Sequence, residues 1–289
     1  MLSFLTKKQA PHVADEVEEE NRRLLIKANE LVFGFNGVFR PKQLEICLSV
    51  MSKKDTFVIM PTGGGKSLCY ACPAVVSAGV TVVISPLISL IEDQVSGFLQ
   101  LPCGGIPCAY LTSNSTATQV AAVRTDLQRA RSGEQPFLKL LYLTPEGIVK
   151  GNDIKTLLRD LDNNELLARF VIDEAHCVSS WGHDFRKDYG QLGILKREWP
   201  DVPIVALTAT ARQAVMDDVI EILDIKQCST YTLGYDRPNL LFEVYPKPSS
   251  WVDVIASVVQ YISTQWPEPG TSGIVYCMTK KDCEECADR

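Results

Sequence analysis

At 289 residues the chain is longer than most single domains, so its length allows one large domain or two small ones. Its composition, 46% hydrophobic and 22% charged, is globular, and no apolar run is long enough to cross a membrane. A net charge of −6 argues against indiscriminate binding to nucleic acid but leaves room for a local basic cleft.

The opening Met1–Leu5 is too short an apolar stretch for a secretory signal, so the ten cysteines are expected as thiols in a reducing compartment. Residues 13–33 carry apolar positions at helical spacing, and the acids of 15–20 read as a solvated face. Strand and helix patterns then alternate. The apolar run at 56–59 precedes a helix near 66–78, and 80–84 precedes a helix near 87–100. A helix near 116–131 leads to a strand at 138–143, and further strands are expected at 169–173 and 204–207 before a helix at 212–223. Gly104-Gly105, Ser132-Gly133 and Asp162-Asn163-Asn164 read as surface loops. Continuous apolar strands separated by helices predict an α/β fold, a parallel sheet covered on both faces. Composition changes near 235–239 and 266–270, after which 273–277 reads as a strand and Lys280–Arg289 as the start of a helix.

Two stretches carry chemistry. Met60-Pro61-Thr62-Gly63-Gly64-Gly65-Lys66-Ser67 follows an apolar strand and precedes a helix, the context a phosphate-binding loop needs. It departs from the strict glycine pattern, since Pro61 or Thr62 stands where the first glycine belongs. Gly63, Gly64 and Gly65 let backbone N–H groups close around phosphate oxygens where a Cβ would clash. Lys66 is expected exposed in the loop, reaching the β/γ-phosphates, with the Ser67 hydroxyl on Mg²⁺. Ile172-Asp173-Glu174-Ala175-His176 ends a buried-type strand, offering Asp173 to the metal and Glu174 to orient an attacking water. The order of the two stretches predicts a nucleoside triphosphate and its Mg²⁺ as cofactors. Cys69/Cys72 and Cys283/Cys286 have half-zinc-site spacing but lie in helical patterns.

From Phe39 onward the chain resembles superfamily 2 helicases, and within them the RecQ DNA helicases. Phe39-Arg40-Pro41-Lys42-Gln43 is similar to the adenine-reading element, which implies that the nucleotide is ATP and assigns Arg40 and Gln43 to it alongside Thr62 and the loop glycines. Residues 85–94 resemble motif Ia, 142–146 motif Ib and 206–211 motif III, while 236–240 and 273–277 resemble the passage into a second RecA-like lobe. The stretch 177–186, with Trp181, His183, Phe185 and Arg186, is similar to the aromatic-rich RecQ loop. Its stacking faces and cation suit single-stranded DNA; the alternative is that Trp181 and Phe185 are core residues of the next helix. Residues 193–197 and the N-terminal helix are closer to the animal Q1-type members.

The resemblance implies a RecA-like P-loop domain at 35–240, preceded by a helical segment at 1–34 and followed at 241–289 by the start of a second RecA-like domain. It implies catalytic Lys66, Asp173, Glu174 and His176, the last coupling the two lobes. It implies DNA contacts at Ser85, Gln94, Thr144, Trp181, His183, Phe185 and Arg186. An adenine-stacking aromatic is also implied, and Phe35 is offset by about one residue from its place. The activity implied is ATP-dependent 3′-to-5′ DNA unwinding in repair and recombination, in the nucleus, on single strands and duplex junctions. The family carries motifs V and VI, a zinc module and a winged helix beyond this stretch, so 1–289 alone is expected to bind ATP and DNA with little turnover. RNA unwinding is the other alternative, and no oligomeric state is implied.

Overall fold

The computed structural model describes residues 13–179, 186–209, 212–234, 240–268, 270 and 272–288. The expectations at Trp181, His183 and Phe185, and the parts of the resemblance at 210–211 and 236–239, lie outside them.

In chain order the first unit runs α1 (Val13–Leu31), α2 (Gln43–Met51), β1 (Thr56–Ile59), α3 (Lys66–Val76), β2 (Val80–Ile84), α4 (Ile88–Leu99), β3 (Cys108–Leu111) and α5 (Ala117–Leu127). It continues β4 (Leu140–Leu143), α6 (Pro145–Lys150), α7 (Asn152–Asn163), β5 (Leu167–Ile172), α8 (Ile194–Glu198), β6 (Ile204–Thr208), α9 (Gln213–Leu223) and β7 (Ser229–Thr232). The second unit, from Asp236 on, holds α10 (Trp251–Gln265) and α11 (Lys280–Ala287). No helix among the described residues is long and apolar enough to cross a membrane.

The seven strands form one sheet in the order β3-β4-β2-β5-β6-β1-β7, every neighbouring pair parallel. The expected α/β class is therefore what the chain adopts. β1, β2, β4 and β6 are buried at every position, because helices cover both sheet faces. Successive residues point to opposite sides: Phe57 and Ile59 pack with α5, α7 and α9, while Val58 and Met60 pack with α1 to α4. Trp199 and Phe170 meet at 5.3 Å in the first layer, each contributing about 2–3 kcal/mol by burial. α1 joins the second layer through Leu25 and Ala28, and the acids at 15–20 face solvent.

The sequence expectations missed in specific places. Residues 273–277 form no strand, because no ladder partner pairs with them among the described residues, and a strand exists only as part of a ladder. Asp162 and Asn163 belong to the last turn of α7, whose apolar face (Ile154, Leu157, Leu158, Leu161) carries them along in the helix. The helix expected to 131 ends at Leu127 and tightens into a 3₁₀ turn at Gln128–Ser132. β3 and β7 were not anticipated. Both are four-residue edge strands, and Ser229-Thr230-Tyr231-Thr232 is too polar to signal a buried strand.

Candidate functional site

β1 and β5 deliver the two chemistry-bearing loops to the carboxyl edge of the sheet, where open α/β sheets bind ligands. The chain leaves β1 through Met60, whose N–H still bonds to Thr208 O at 3.0 Å. It then turns tightly through Gly63 and Gly65, both with positive φ. A Cβ on Gly64 would come within 2.9 Å of Pro61 O, so this position admits nothing larger. α3 starts at Lys66, which places that lysine at the positive end of the helix dipole.

Lys66 is not the free-standing loop lysine expected. Its side chain is only 13% exposed; Nζ donates to Met60 O at 3.3 Å and lies 4.0 Å from Glu174 Oε1.

Arg40 and Gln43 grip the loop from the other side. The Arg40 guanidinium donates to Gly63 O. Gln43 is buried; its Nε2 donates to Gly64 O and Gly65 O at 3.3 and 3.1 Å, and its Oε1 accepts from Arg40 N–H at 2.7 Å. A cavity of about 980 Å³ opens beside them, lined by Phe33, Phe35, Phe39, Arg40, Gln43, Thr62, Lys66, Ser67, Gln94 and Glu174 among others. Phe35 is thus on the cavity wall despite its offset in sequence, and Phe33 and Phe39 share that wall.

At the end of β5, Asp173 is held by two backbone bonds: its N–H to Ile84 O at 2.9 Å, and its C=O from Tyr189 Oη at 2.9 Å. Glu174 follows in a left-handed backbone conformation (φ 49°), which costs free energy for a non-glycine and swings its carboxylate toward Lys66. The environments push the two acids apart. Burial, then the charge of Glu174, raise Asp173 to about 6, while the His176 hydrogen bond holds Glu174 below its ordinary range. His176 is raised to about 10 by hydrogen bonding to the Cys177 side chain and to Glu174. Its Nδ1 lies 2.9 Å from Thr208 Oγ1, so it spans from Glu174 to the end of β6.

Among the described residues no three His, Cys, Asp or Glu side chains cluster in a way that could cage a metal. Mg²⁺ does not require one, since it is commonly held by one or two protein oxygens plus phosphates and waters. Asp173, a buried carboxylate at the end of β5, is a hard oxygen donor of the kind Mg²⁺ takes.

The residues expected to touch DNA separate. Ser85 is fully buried and its hydroxyl finds no hydrogen-bond partner among the described residues, so the end of β2 presents no Ser85 side chain to a strand. Gln94 faces the cavity, where Oε1 accepts from Tyr70 and Tyr142; α4 turns this face inward. Thr144 spends its hydroxyl capping α6 through Gly147 N–H at 3.2 Å. Arg186 donates from Nη1 to Pro86 O at 2.6 Å, tying the stretch after His176 to the one after β2. Tyr70 and Tyr142 reach the site through Gln94, although neither was expected as a site residue: Tyr70 stands in an apolar helix pattern, and Tyr142 opens the stretch that resembles motif Ib. Cys69 and Cys72 are buried thiols on α3.

A DEAD/DEAH box helicase model matches residues 40–219, more than half of the chain. The chain belongs to the DEAD/DEAH box helicase family. Within it, ATP-dependent DNA helicase Q1 of Rattus norvegicus is 45% identical over 247 residues, covering 86% of this chain and 38% of the relative. RecQ-like DNA helicase BLM of Xenopus laevis is 43% identical, covering 86% of this chain and 18% of the relative. ATP-dependent DNA helicase Q-like 4B of Arabidopsis thaliana is 44% identical, covering 90% and 22%. The chain therefore spans about a fifth to two fifths of these relatives, and the RecQ resemblance of its motifs is matched in them. Among solved structures, DUF1998 helicase MrfA covers 91% of this chain and 40% of its own, with a TM-score of 0.62 at 16% identity, a likeness of fold.

Proposed function

We propose that this DEAD/DEAH box helicase chain is the nucleotide-binding part of a RecQ-type DNA helicase that hydrolyses ATP to move 3′ to 5′ along single-stranded DNA and open duplex junctions. In this reading the first unit is the first RecA-like domain and the second unit opens the next one. The observation that carries it is the approach of Lys66 to Glu174, 4.0 Å apart across a cavity that the glycine loop and Gln43 also line. Sequence-distant residues from β1 and β5 thereby meet where a γ-phosphate and an attacking water must meet.

Lys66 and the loop N–H groups hold phosphate oxygens, and Arg40 and Gln43 lie on the base side with Phe35 on the wall. Glu174, kept ionised by His176, orients water toward the γ-phosphate. Ser67 and Asp173 hold Mg²⁺, which when bound neutralises charge developing on the phosphate oxygens. Trp181, His183, Phe185 and Arg186 meet the DNA strand. The names of the relatives support DNA over RNA; the nuclear role in repair and recombination rests on the family resemblance of the motifs.

ATP turnover of the chain is measured with single-stranded DNA, with RNA and with neither, alongside binding of a fluorescent ATP analogue. Nucleotide binding together with stimulation by DNA above RNA is expected. No nucleotide binding, or stimulation by RNA alone, would overturn the reading.

A further inference from the structure

The far end of α3 is held by two cations that the proposed chemistry leaves idle. Arg169 lies on β5 and is buried; Lys139 stands just ahead of β4. Arg169 donates from Nη2 to Ser77 Oγ at 2.8 Å and from Nη1 to Thr81 Oγ1 at 3.4 Å. Lys139 donates from Nζ to Ser77 O at 2.9 Å. Ser77 is the residue that closes α3. Among the described residues neither cation meets a carboxylate, and Arg169 Nε is buried without a partner. Burial lowers the guanidinium to about 10, so it stays charged at neutral pH. A buried charge without a counter-ion is costly, and the negative end of the α3 dipole offsets part of that cost.

The hold comes from both sides. β2, which α3 feeds through Ser77, Ala78 and Gly79, lies between β4 and β5 in the sheet. Lys139 therefore holds Ser77 from the β4 flank and Arg169 from the β5 flank. The short link limits how far the helix end stands from β2, and the two cations fix its sideways position. Two rods run from this joint to the opposite edge of the sheet. α3 spans 11 residues back to Lys66, about 16 Å at helical rise. From Arg169 to Glu174, along β5 and just past it, is also about 16 Å at strand rise. The rods meet again where Lys66 Nζ lies 4.0 Å from Glu174 Oε1. At that length a tilt of about 4° carries the lysine end about 1 Å. A misplacement of about 1 Å is enough to spoil a phosphate site.

We infer that Arg169, with Lys139, is a positioning residue: by clamping Ser77 it sets the tilt of α3, and so the place of Lys66 beside Glu174. This rests on the reading of Lys66 as the phosphate ligand and goes beyond it, since neither cation touches the nucleotide. An apolar side chain at 169 would be cheaper to bury, so the guanidinium is accounted for by what it holds.

The test is a double-mutant cycle on the whole chain, read by titration of a fluorescent ATP analogue, with urea unfolding and single-stranded DNA binding on the same samples. Arg169→Met removes the charge, Ser77→Ala removes one hydroxyl, and Ser77→Thr keeps it. Arg169→Met should lower nucleotide affinity about fivefold and Ser77→Ala about threefold, both within the about tenfold or more that the Lys66 contact supplies. Ser77→Thr should bind as the wild type, and DNA binding should not move. In a Lys66→Ala background the same changes should lower nucleotide affinity no further, because the contact they position is gone. Sites this far apart without a shared partner otherwise act additively. Additive losses would therefore overturn the clamp. A lower unfolding midpoint with unchanged affinity would make the cations a structural cap and overturn it as well, as would parallel loss of DNA binding. If Lys66→Ala itself binds nucleotide as the wild type does, the phosphate reading falls and the clamp with it. If Arg169→Met does not fold, the Ser77 pair carries the test.

Discussion

Nδ1 of His176 sits between two oxygens, 2.9 Å from Thr208 Oγ1 and 3.3 Å from Glu174 Oε2. One imidazole thus links the acid proposed to orient water with the end of β6, the strand beside β1. The link has a sign with pH. The folded His176 is raised to about 10, against about 6.5 in an unfolded chain, so the fold binds its proton more tightly. Its stabilising share is fully present below about pH 6.5 and is lost as pH rises through about 10. Denaturant unfolding of the wild type and His176→Ala should show a gap that is widest near about pH 6 and shrinks steadily toward about pH 10. A gap that is constant or grows over that window would mean the imidazole is not held charged.

Lys66→Ala should weaken binding of a fluorescent ATP analogue at least about tenfold, since a charge-assisted contact contributes about 1.5–3 kcal/mol. The fold should lose no more than about 1 kcal/mol, because the lysine's polar contacts are one part-buried hydrogen bond to Met60 O and a long ion pair with Glu174 at 4.0 Å. Fluorescence titration and urea unfolding of the same pair check both halves. Equal nucleotide affinities would remove Lys66 from the phosphate site.

Arg186 bonds Cys177 O through its backbone N–H at 3.1 Å and Pro86 O through its guanidinium. Trp181→Ala with Arg186→Ala should reduce single-stranded DNA binding by at least about tenfold, from a stacking contribution of about 1–3 kcal/mol per base. ATP-analogue affinity should fall less. Anisotropy with a labelled strand measures the first and the titration above the second; unchanged DNA binding would make the stretch structural.

The parts of this molecule legible in sequence are those where a local pattern decides the outcome. β1, β2, β4, β5 and β6 are runs of apolar residues, and burial on both faces is the only state that satisfies such runs. β7 is read only through its partner: Ser229–Thr232 becomes a strand because β1 offers a ladder, not because its side chains ask for one. The phosphate loop and the acids at 173–174 were legible because each needs a fixed spacing along the chain. Gln94 was not, since the direction a helical residue faces depends on how α4 packs, and a motif match carries no rotation angle. Tyr70 was invisible for a related reason: in a one-dimensional reading a tyrosine in an apolar run is one more apolar residue.

Gln43 spends both ends of its amide before any base arrives, its nitrogen on the carbonyls of Gly64 and Gly65 and its oxygen on Arg40 N–H. Reading a base edge with that amide means surrendering bonds that keep the loop in shape. Recognition is then a trade between intramolecular and intermolecular partners rather than a simple addition, and its net gain is the difference between them. A base with the wrong edge fails to repay the exchange and leaves the loop latched by its own side chains. Selectivity for one base would then reside partly in how reluctantly the loop lets go.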